Sequence, residues 1–250
     1  MRFDILTLFP EICRPALEHS ILGRGAEAGA VAFGLHDIRM HGRGRHRVVD
    51  DTPYGGGSGM VMRVDVIDDA LQAVRRPESH VVLMAPSGRP FQQADARRLA
   101  EKAHLVLVCG HYEGVDGRVG EHLVDEILSI GDYVITGGEL AALVVCDAVA
   151  RLVPGVLGNA ESLAEESFED GLLEAPAYTR PFTYRDWSVP DVLRSGHHAR
   201  IRDWRQTQSE ALTRRVRPDL WRASLGGASP KADAHQTEPI GLVDTAASSE

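Results

Sequence analysis

The stretch SIGDYVITGGELAALV, residues 129–144, frames the reading of the whole chain. It reads as a short apolar strand, a pair of glycines and then an apolar helix. A plain turn needs one glycine at most. Here Gly137 and Gly138 stand together between strand end and helix start, with Gly131 just upstream. Backbone bare of Cβ at these places implies that something lies close to the main chain.

The same grammar repeats outward from this stretch. FDILTLF (3–9), GAVAFGLHDI (29–38), HVVLMAP (80–86) and LVLVCG (105–110) read as buried strands. Helices are expected from Pro10 to about Ala28, and over residues 65–74, 91–103 and 140–152; residues 121–130 lead into the opening stretch. Nearly continuous apolar runs fit strands covered on both faces of a parallel sheet. Strand and helix in alternation predict an open α/β sheet, and ligands of such sheets bind beyond the carboxyl ends of the strands. MAPSGRP, CGHYEGVDG and GDYVITGGE each carry glycine within a few residues of a strand end. Three loops of this kind are expected to converge on one crevice. None of them, nor PYGGGSGM, spells GxGxxG, and GxxxxGK[ST] is absent. A P-loop is excluded and a dinucleotide site is disfavoured.

The polar, glycine-rich stretch 39–59 reads as a long loop, and loops of that length inside a domain usually serve function. GNAESLAEESFEDGLLE (158–174) is acidic and reads as a linker. Residues 190–220 look helical: VPDVLRSG as a short helix, then HHARIRDWRQTQSEALTRRVRPDLW as a longer one with Pro218 near its end. Beyond residue 226 the chain is rich in Gly, Ala, Ser and Pro, and disorder is expected. The expected organisation is an α/β domain over 1–158, a linker over 159–175, a small helical domain over 176–225 and a tail over 226–250.

Composition narrows the function classes. The 250 residues are 43% hydrophobic and 25% charged, ordinary for a soluble globular protein. No apolar run is long enough to span a bilayer, and the N-terminus lacks a signal-peptide layout. A cytoplasmic location is the expectation. Cys13, Cys109 and Cys146 are far apart and form no CxxC pair, so a zinc site of the usual spacing is disfavoured. The net charge of −9 argues against a polyanionic partner, but the distribution reverses that. Residues 180–222 hold ten arginines against five acids, and RMHGRGRHR (39–47) holds four arginines and no acid. A GC-rich genome accounts for abundant arginine; it accounts less well for two clusters. The guanidinium fork suits phosphate.

VDDTPYGGGSGMVM, CGHYEGVDGRV, SIGDYVITGGELAALVVCDAVARLVPGVLG, SFEDGLLEAPAYTRP and VLRSGHHARIRDWR together resemble the bacterial tRNA (guanine-N1)-methyltransferases, over roughly residues 1–223 and in that family's order. The resemblance implies an α/β-knot (SPOUT) fold, in which the chain at the cofactor site threads a deep trefoil knot, a rare topology. It also implies a homodimer with the active site at the interface, S-adenosylmethionine as methyl donor, a Mg²⁺ requirement, and a tRNA substrate methylated on the guanine 3′ of the anticodon, position 37. No DNA or membrane partner is implied.

The resemblance carries cofactor contacts onto Leu83, Met84, Pro86 and Gly88 in the first loop, onto Gly110, Tyr112 and Glu113 in the second, and onto Ser129, Ile130, Gly131, Tyr133, Ile135, Gly137 and Gly138 in the third. An isolated glycine serves a tight turn or helix packing equally well. Methylating guanine N1 requires removing its proton and stabilising the charge left at O6. By resemblance Asp170 is the general base and Arg151 the cation at O6. From the residues alone Asp170 is one of several acids beside Glu165, Glu166 and Glu169, and Arg151 is a cation at a helix C-terminus. RNA contacts are implied for Asp50, Gly59, His197, Arg200, Arg202 and Arg205. The chain departs from the family's usual pattern at His111, Glu166 and His197. Two alternatives stay open: a related knot enzyme acting on another RNA position such as a ribose 2′-oxygen, and an RNA-binding module without catalysis.

Overall fold

A computed structural model describes residues 1–158 and 166–226, which fall into two compact units, Met1–Gly158 and residues 166–226. In the first unit the elements run β1 (Arg2–Thr7), α1 (Pro10–Glu18), α2 (Ser20–Glu27), β2 (Ala32–Asp37), β3 (Asp50–Asp51), β4 (Val61–Met62), α3 (Val64–Val74), β5 (Ser79–Pro90), α4 (Gln93–Ala100), β6 (His104–Cys109), α5 (Gly117–His122), β7 (Glu126–Ser129) and α6 (Glu139–Ala150). Five strands form one sheet in the order β2-β1-β6-β5-β7, every neighbouring pair parallel.

Alternation along the strands explains the two cores. On β6, Leu105, Leu107 and Cys109 face one side, where they pack with Cys13, Leu99, Val145 and Val149 from α1, α4 and α6. Val106 and Val108 face the other, with Val66, Ile67 and Leu71 of α3 and Val119 of α5. β6 is buried at every position, as a central strand covered on both faces must be. A polar seam crosses the same sheet. The buried Asp4 carboxylate accepts from Arg2, from His36 at 2.8 Å and from His104 at 2.8 Å. Its burial alone would raise its pKa; those three hydrogen bonds outweigh it and hold the group well below the usual range.

Several expectations need correction. The helix expected over 10–28 is two helices. His19 is extended and Ser20 takes φ +57°, and Gly23 lets α2 close on the end of α1, because a Cβ there would lie 2.6 Å from the Glu18 carbonyl carbon. β5 runs on to Pro90 with an irregularity between Met84 and Arg89. The opening stretch is not a strand beyond its first residue. β7 precedes it, and 130–138 is loop. The last β5–β7 partners are Pro90 and Ser129; β5 then turns into α4 and offers no further edge. Gly131, at φ +152°, leaves the extended path, and Val134 is 84% exposed. In the long loop, β3 pairs antiparallel with β4 just beyond the loop's end.

The second unit contains the two-stranded hairpin β8 (Thr183–Tyr184) and β9 (Trp187–Ser188), then α7 (His198–Val216) and α8 (Pro218–Leu225). The short helix expected in VPDVLRSG is a single 3₁₀ turn, Asp191–Arg194. Pro218 opens α8 rather than sitting inside a longer helix. Proline lacks the N–H a helix interior needs and pushes the residue before it out of the α region, and Arg217 has φ −133°. Residues 166–175, expected as linker, lie along α7. Leu173 donates its amide to Thr213 Oγ1 at 2.8 Å and accepts from Ser209 Oγ at 2.6 Å. The remaining linker, 159–165, and the tail over 227–250 lie outside the described residues.

Candidate functional site

The carboxyl ends of β6 and β7 hold two of the glycine-bearing loops, and the glycine of the first, Gly88, sits in the irregular last part of β5. Gly138 donates its amide to the Gly110 carbonyl at 2.8 Å. A Cβ on Gly138 would lie 2.7 Å from Cys109 Cα, and one on Gly88 would lie 2.6 Å from the Leu128 backbone. A Cβ on Gly137 would meet His111 Cδ2 at 2.7 Å. What presses on these glycines is the chain itself: loop lies directly on strand end. At Gly88 and Gly138 the approach is backbone to backbone, which only glycine permits at these distances, whereas Gly137 is met by the His111 and Glu139 side chains. Gly110 differs, since a Cβ there would meet only ordinary contacts, Val115 at 3.6 Å and the Met84 carbonyl at 3.7 Å.

The third loop also leaves donors unspent. Among the described residues, the amides of Val134, Ile135, Thr136 and Gly137 make no hydrogen bond within the chain, whereas Tyr133 donates to Gly131. Tyr133 and Ile135 are 57% and 37% exposed beside them, and Ser129 Oγ bonds the Gly131 carbonyl at 3.0 Å. Free backbone donors next to uncovered aromatic and aliphatic side chains suit a flat, polar-edged ligand read by main chain. Of the other expected contacts, Leu83 and Met84 are buried in β5, and Pro86 lies exposed further along it. Ile130 is half-buried, packed against the core below the loop.

The second loop is tied to the polar loop before β4. Glu113 donates its amide to the Met60 carbonyl at 3.0 Å, and its side chain fills the space beside Gly59. Gly59 takes φ +86°, and Tyr112 takes φ +60°, an uncommon conformation for a side chain of that size. Asp50, half-buried, pairs with Met62 in the β3–β4 ladder. Two residues that sequence reasoning did not assign also stand here. Glu139 is 3% exposed at the first position of α6, where the helix dipole favours an anion, and it accepts from Thr7 Oγ1 at 2.6 Å. His111 packs against Phe9 with tilted rings, centroids 4.9 Å apart, and Arg39 lies over the same Phe9 ring at 4.7 Å. Only their position beside GG and CG in the sequence could have marked them.

Arg151 is the C-cap of α6 in the first unit, its amide bonded to the Asp147 carbonyl at 3.2 Å. Asp170 belongs to the second unit, where its Oδ1 accepts from the Leu172 amide at 3.1 Å. Asp170 borders a cavity of about 790 Å³. The segment 170–178 forms one wall and α7 the other. His198, Ile201, Arg202 and Arg205 follow at i, i+3, i+4 and i+7, so one helical face presents imidazole and two guanidiniums opposite the carboxylate. His197 and Arg200 are exposed on the same helix but outside this wall. His198 and Tyr178 were not expected; the i+4 spacing from His198 to Arg202 was the available signal.

The remaining chemistry is quickly bounded. Burial pushes the Cys109 and Cys146 thiols well up, and burial followed by Glu139 raises Cys13 to about 11, so none offers a thiolate near neutrality. Among the described residues no cluster of three His, Cys, Asp or Glu side chains could hold a metal ion, and no helix is long and apolar enough to cross a membrane.

Comparison with known proteins adds the last finding. The family model described as tRNA (Guanine-1)-methyltransferase TrmD matches residues 1–223. A tRNA (guanine-N(1)-)-methyltransferase of Chloroflexus aggregans is 54% identical over 237 residues, 93% of this chain and 92% of the relative. That of Geobacter sulfurreducens is 54% identical over 222 residues, 88% and 91% of the two chains. That of Myxococcus xanthus is 53% identical over 241 residues, 95% and 97%. With a parallel α/β sheet whose strand-end loops meet at glycine contacts, and a family match across almost nine-tenths of its length, the chain belongs to the tRNA (guanine-1)-methyltransferase family.

Proposed function

We propose that this protein methylates N1 of the guanine 3′ of the tRNA anticodon, position 37. The observation that carries the reading is the free-amide loop at 134–137, joined to the end of β6 through Gly138 and Gly110, within a chain of this family. The residues present fit S-adenosylmethionine. Unspent donors of the third loop would meet the adenine edge, exposed Tyr133 and Ile135 would cover its faces, and Gly110 leaves an uncrowded wall. When bound, that group supplies an electrophilic methyl. The resemblance's knot is consistent with a loop pressed this tightly onto a strand end, and its homodimer is part of the same reading, as is any need for Mg²⁺.

The chain's own part is proton and charge management. Asp170 takes the N1 proton, which makes N1 a competent nucleophile. Arg151 would supply the cation that offsets the charge developing on O6. Arg202, Arg205 and His198 present positive or hydrogen-bonding groups along the wall facing Asp170, suited to phosphate and to holding the nucleotide. Asp50 and Gly59 in the first unit, and His197 and Arg200 in the second, are further RNA contacts of this reading. Unmodified tRNA transcripts with guanine or adenine at position 37 test this reading, using labelled donor and mapping the product. Methyl found on N1 of the guanine alone supports it. Methyl found on a ribose, or on both transcripts equally, refutes it.

A further inference from the structure

We propose that the β8–β9 hairpin is a nucleobase-stacking tip that holds an unpaired nucleotide of the tRNA; the inference rests on the tRNA-methylating reading above. Five aromatic side chains, Tyr178, Phe182, Tyr184, Trp187 and Trp204, fall within residues 178–204. A hairpin of two-residue strands has no core of its own to place them in. Tyr184 and Trp187 are 55% and 66% exposed, with ring centroids 6.0 Å apart. The Arg185 guanidinium lies over both, 5.4 Å from the Tyr184 ring and 5.6 Å from the Trp187 ring. Beside them Arg194 lies 3.8 Å over Phe182.

The backbone at the tip points the same way. Arg185 adopts φ +54°, a conformation that glycine or asparagine reaches more cheaply in a two-residue turn. A turn serving only to reverse the chain has no use for arginine there. Among the described residues Arg185 forms no ion pair with a carboxylate, so its charge is available to a ligand. The hairpin is held in register by Thr183 and Ser188, whose hydroxyls meet at 3.1 Å, and by the Val189 amide on the Phe182 carbonyl at 2.9 Å. Planar rings with a guanidinium on top continue naturally into a stacked base, with phosphate in reach of the fork. The ten arginines of residues 180–222 favour a nucleic acid over an apolar protein surface as the occupant.

The test measures tRNA affinity of the full-length protein and of Arg185→Gly, Trp187→Ala and Trp187→Phe, across a salt series, beside donor affinity. Stacking is worth about 1–3 kcal/mol per base, so Trp187→Ala is expected to weaken tRNA binding about tenfold, with an unchanged salt slope. Trp187→Phe restores most of the affinity. Arg185→Gly, placed where glycine suits the backbone and so safe for folding, weakens binding and lowers the salt slope by about one. Donor affinity stays constant in all three. Variants that bind tRNA within twofold of the parent overturn the hairpin's role while leaving the methylating reading intact. A parent protein that binds no tRNA overturns both.

Discussion

Gly138 lies on Cys109: its amide bonds the next carbonyl, Gly110, at 2.8 Å, and a Cβ on it would stand 2.7 Å from Cys109 Cα. This contact joins the start of α6 to the end of β6 and fixes where the third loop can go. Gly138→Ala is therefore expected to destabilise the protein by about 1–3 kcal/mol, the range for overpacking against immovable atoms. Gly110→Ala meets contacts of 3.6 Å and longer, and stability should change by no more than about 0.5 kcal/mol. Its donor affinity should nonetheless fall if Gly110 lines the proposed cofactor site, because the added methyl would enter it. Urea melts and donor titrations of both variants separate the two effects.

Two hydroxyls of α7, on Thr213 and Ser209, tie down the segment that carries Asp170. Thr213 is fully buried, accepts from the Leu173 amide and donates to the Ser209 carbonyl, both at 2.8 Å. Thr213→Val keeps the shape and strands the Leu173 amide, at a cost of about 1–3 kcal/mol. The segment 170–178 should loosen on α7. Turnover on tRNA should drop more than tRNA affinity does, which steady-state kinetics beside a binding titration would read directly.

Edge strand β7 is pinned by charge. Glu126 accepts from His80 at 2.7 Å, from Arg98 at 2.8 Å and from Arg89 at 2.8 Å. Burial raises its pKa, but the hydrogen bonds from His80 and Arg98 win and hold it down to about 2. Because the folded value lies below the unfolded value of about 4.3, this stability is present above that pH. It is lost as pH falls toward 2, on the order of 3 kcal/mol in all. Glu126→Gln should be less stable at neutral pH and show a shallower decline between about pH 4 and 2, as chemical denaturation across that window would show.

The sheet was readable because its strands are apolar on both faces: residues 105–109 leave no choice but a central strand. The helices that cover it were readable from spacing, although the break at Ser20 depends on a backbone conformation no periodicity encodes. The strand expected inside residues 129–138 was misplaced because VIT is apolar while the sheet offers it no partner; pairing ends at Ser129. The glycines read in the sequence as places of close approach, but that the chain itself crowds Gly88 and Gly138 is a tertiary fact no local pattern encodes. Short strands such as β8 and β9 carry too few residues for a period-2 signal. Asp170 could not be told from its acidic neighbours by chemistry alone; only the motif around it did that.

The most direct test of the central claim is single-turnover methyl transfer to a guanine-37 transcript, with Asp170→Ala beside the parent and the methylated atom mapped. Loss of a general base predicts a rate about 10²–10⁴ lower at unchanged donor affinity, with the parent's methyl on guanine N1. A variant as fast as the parent, or a methyl on any other atom, would contradict the account.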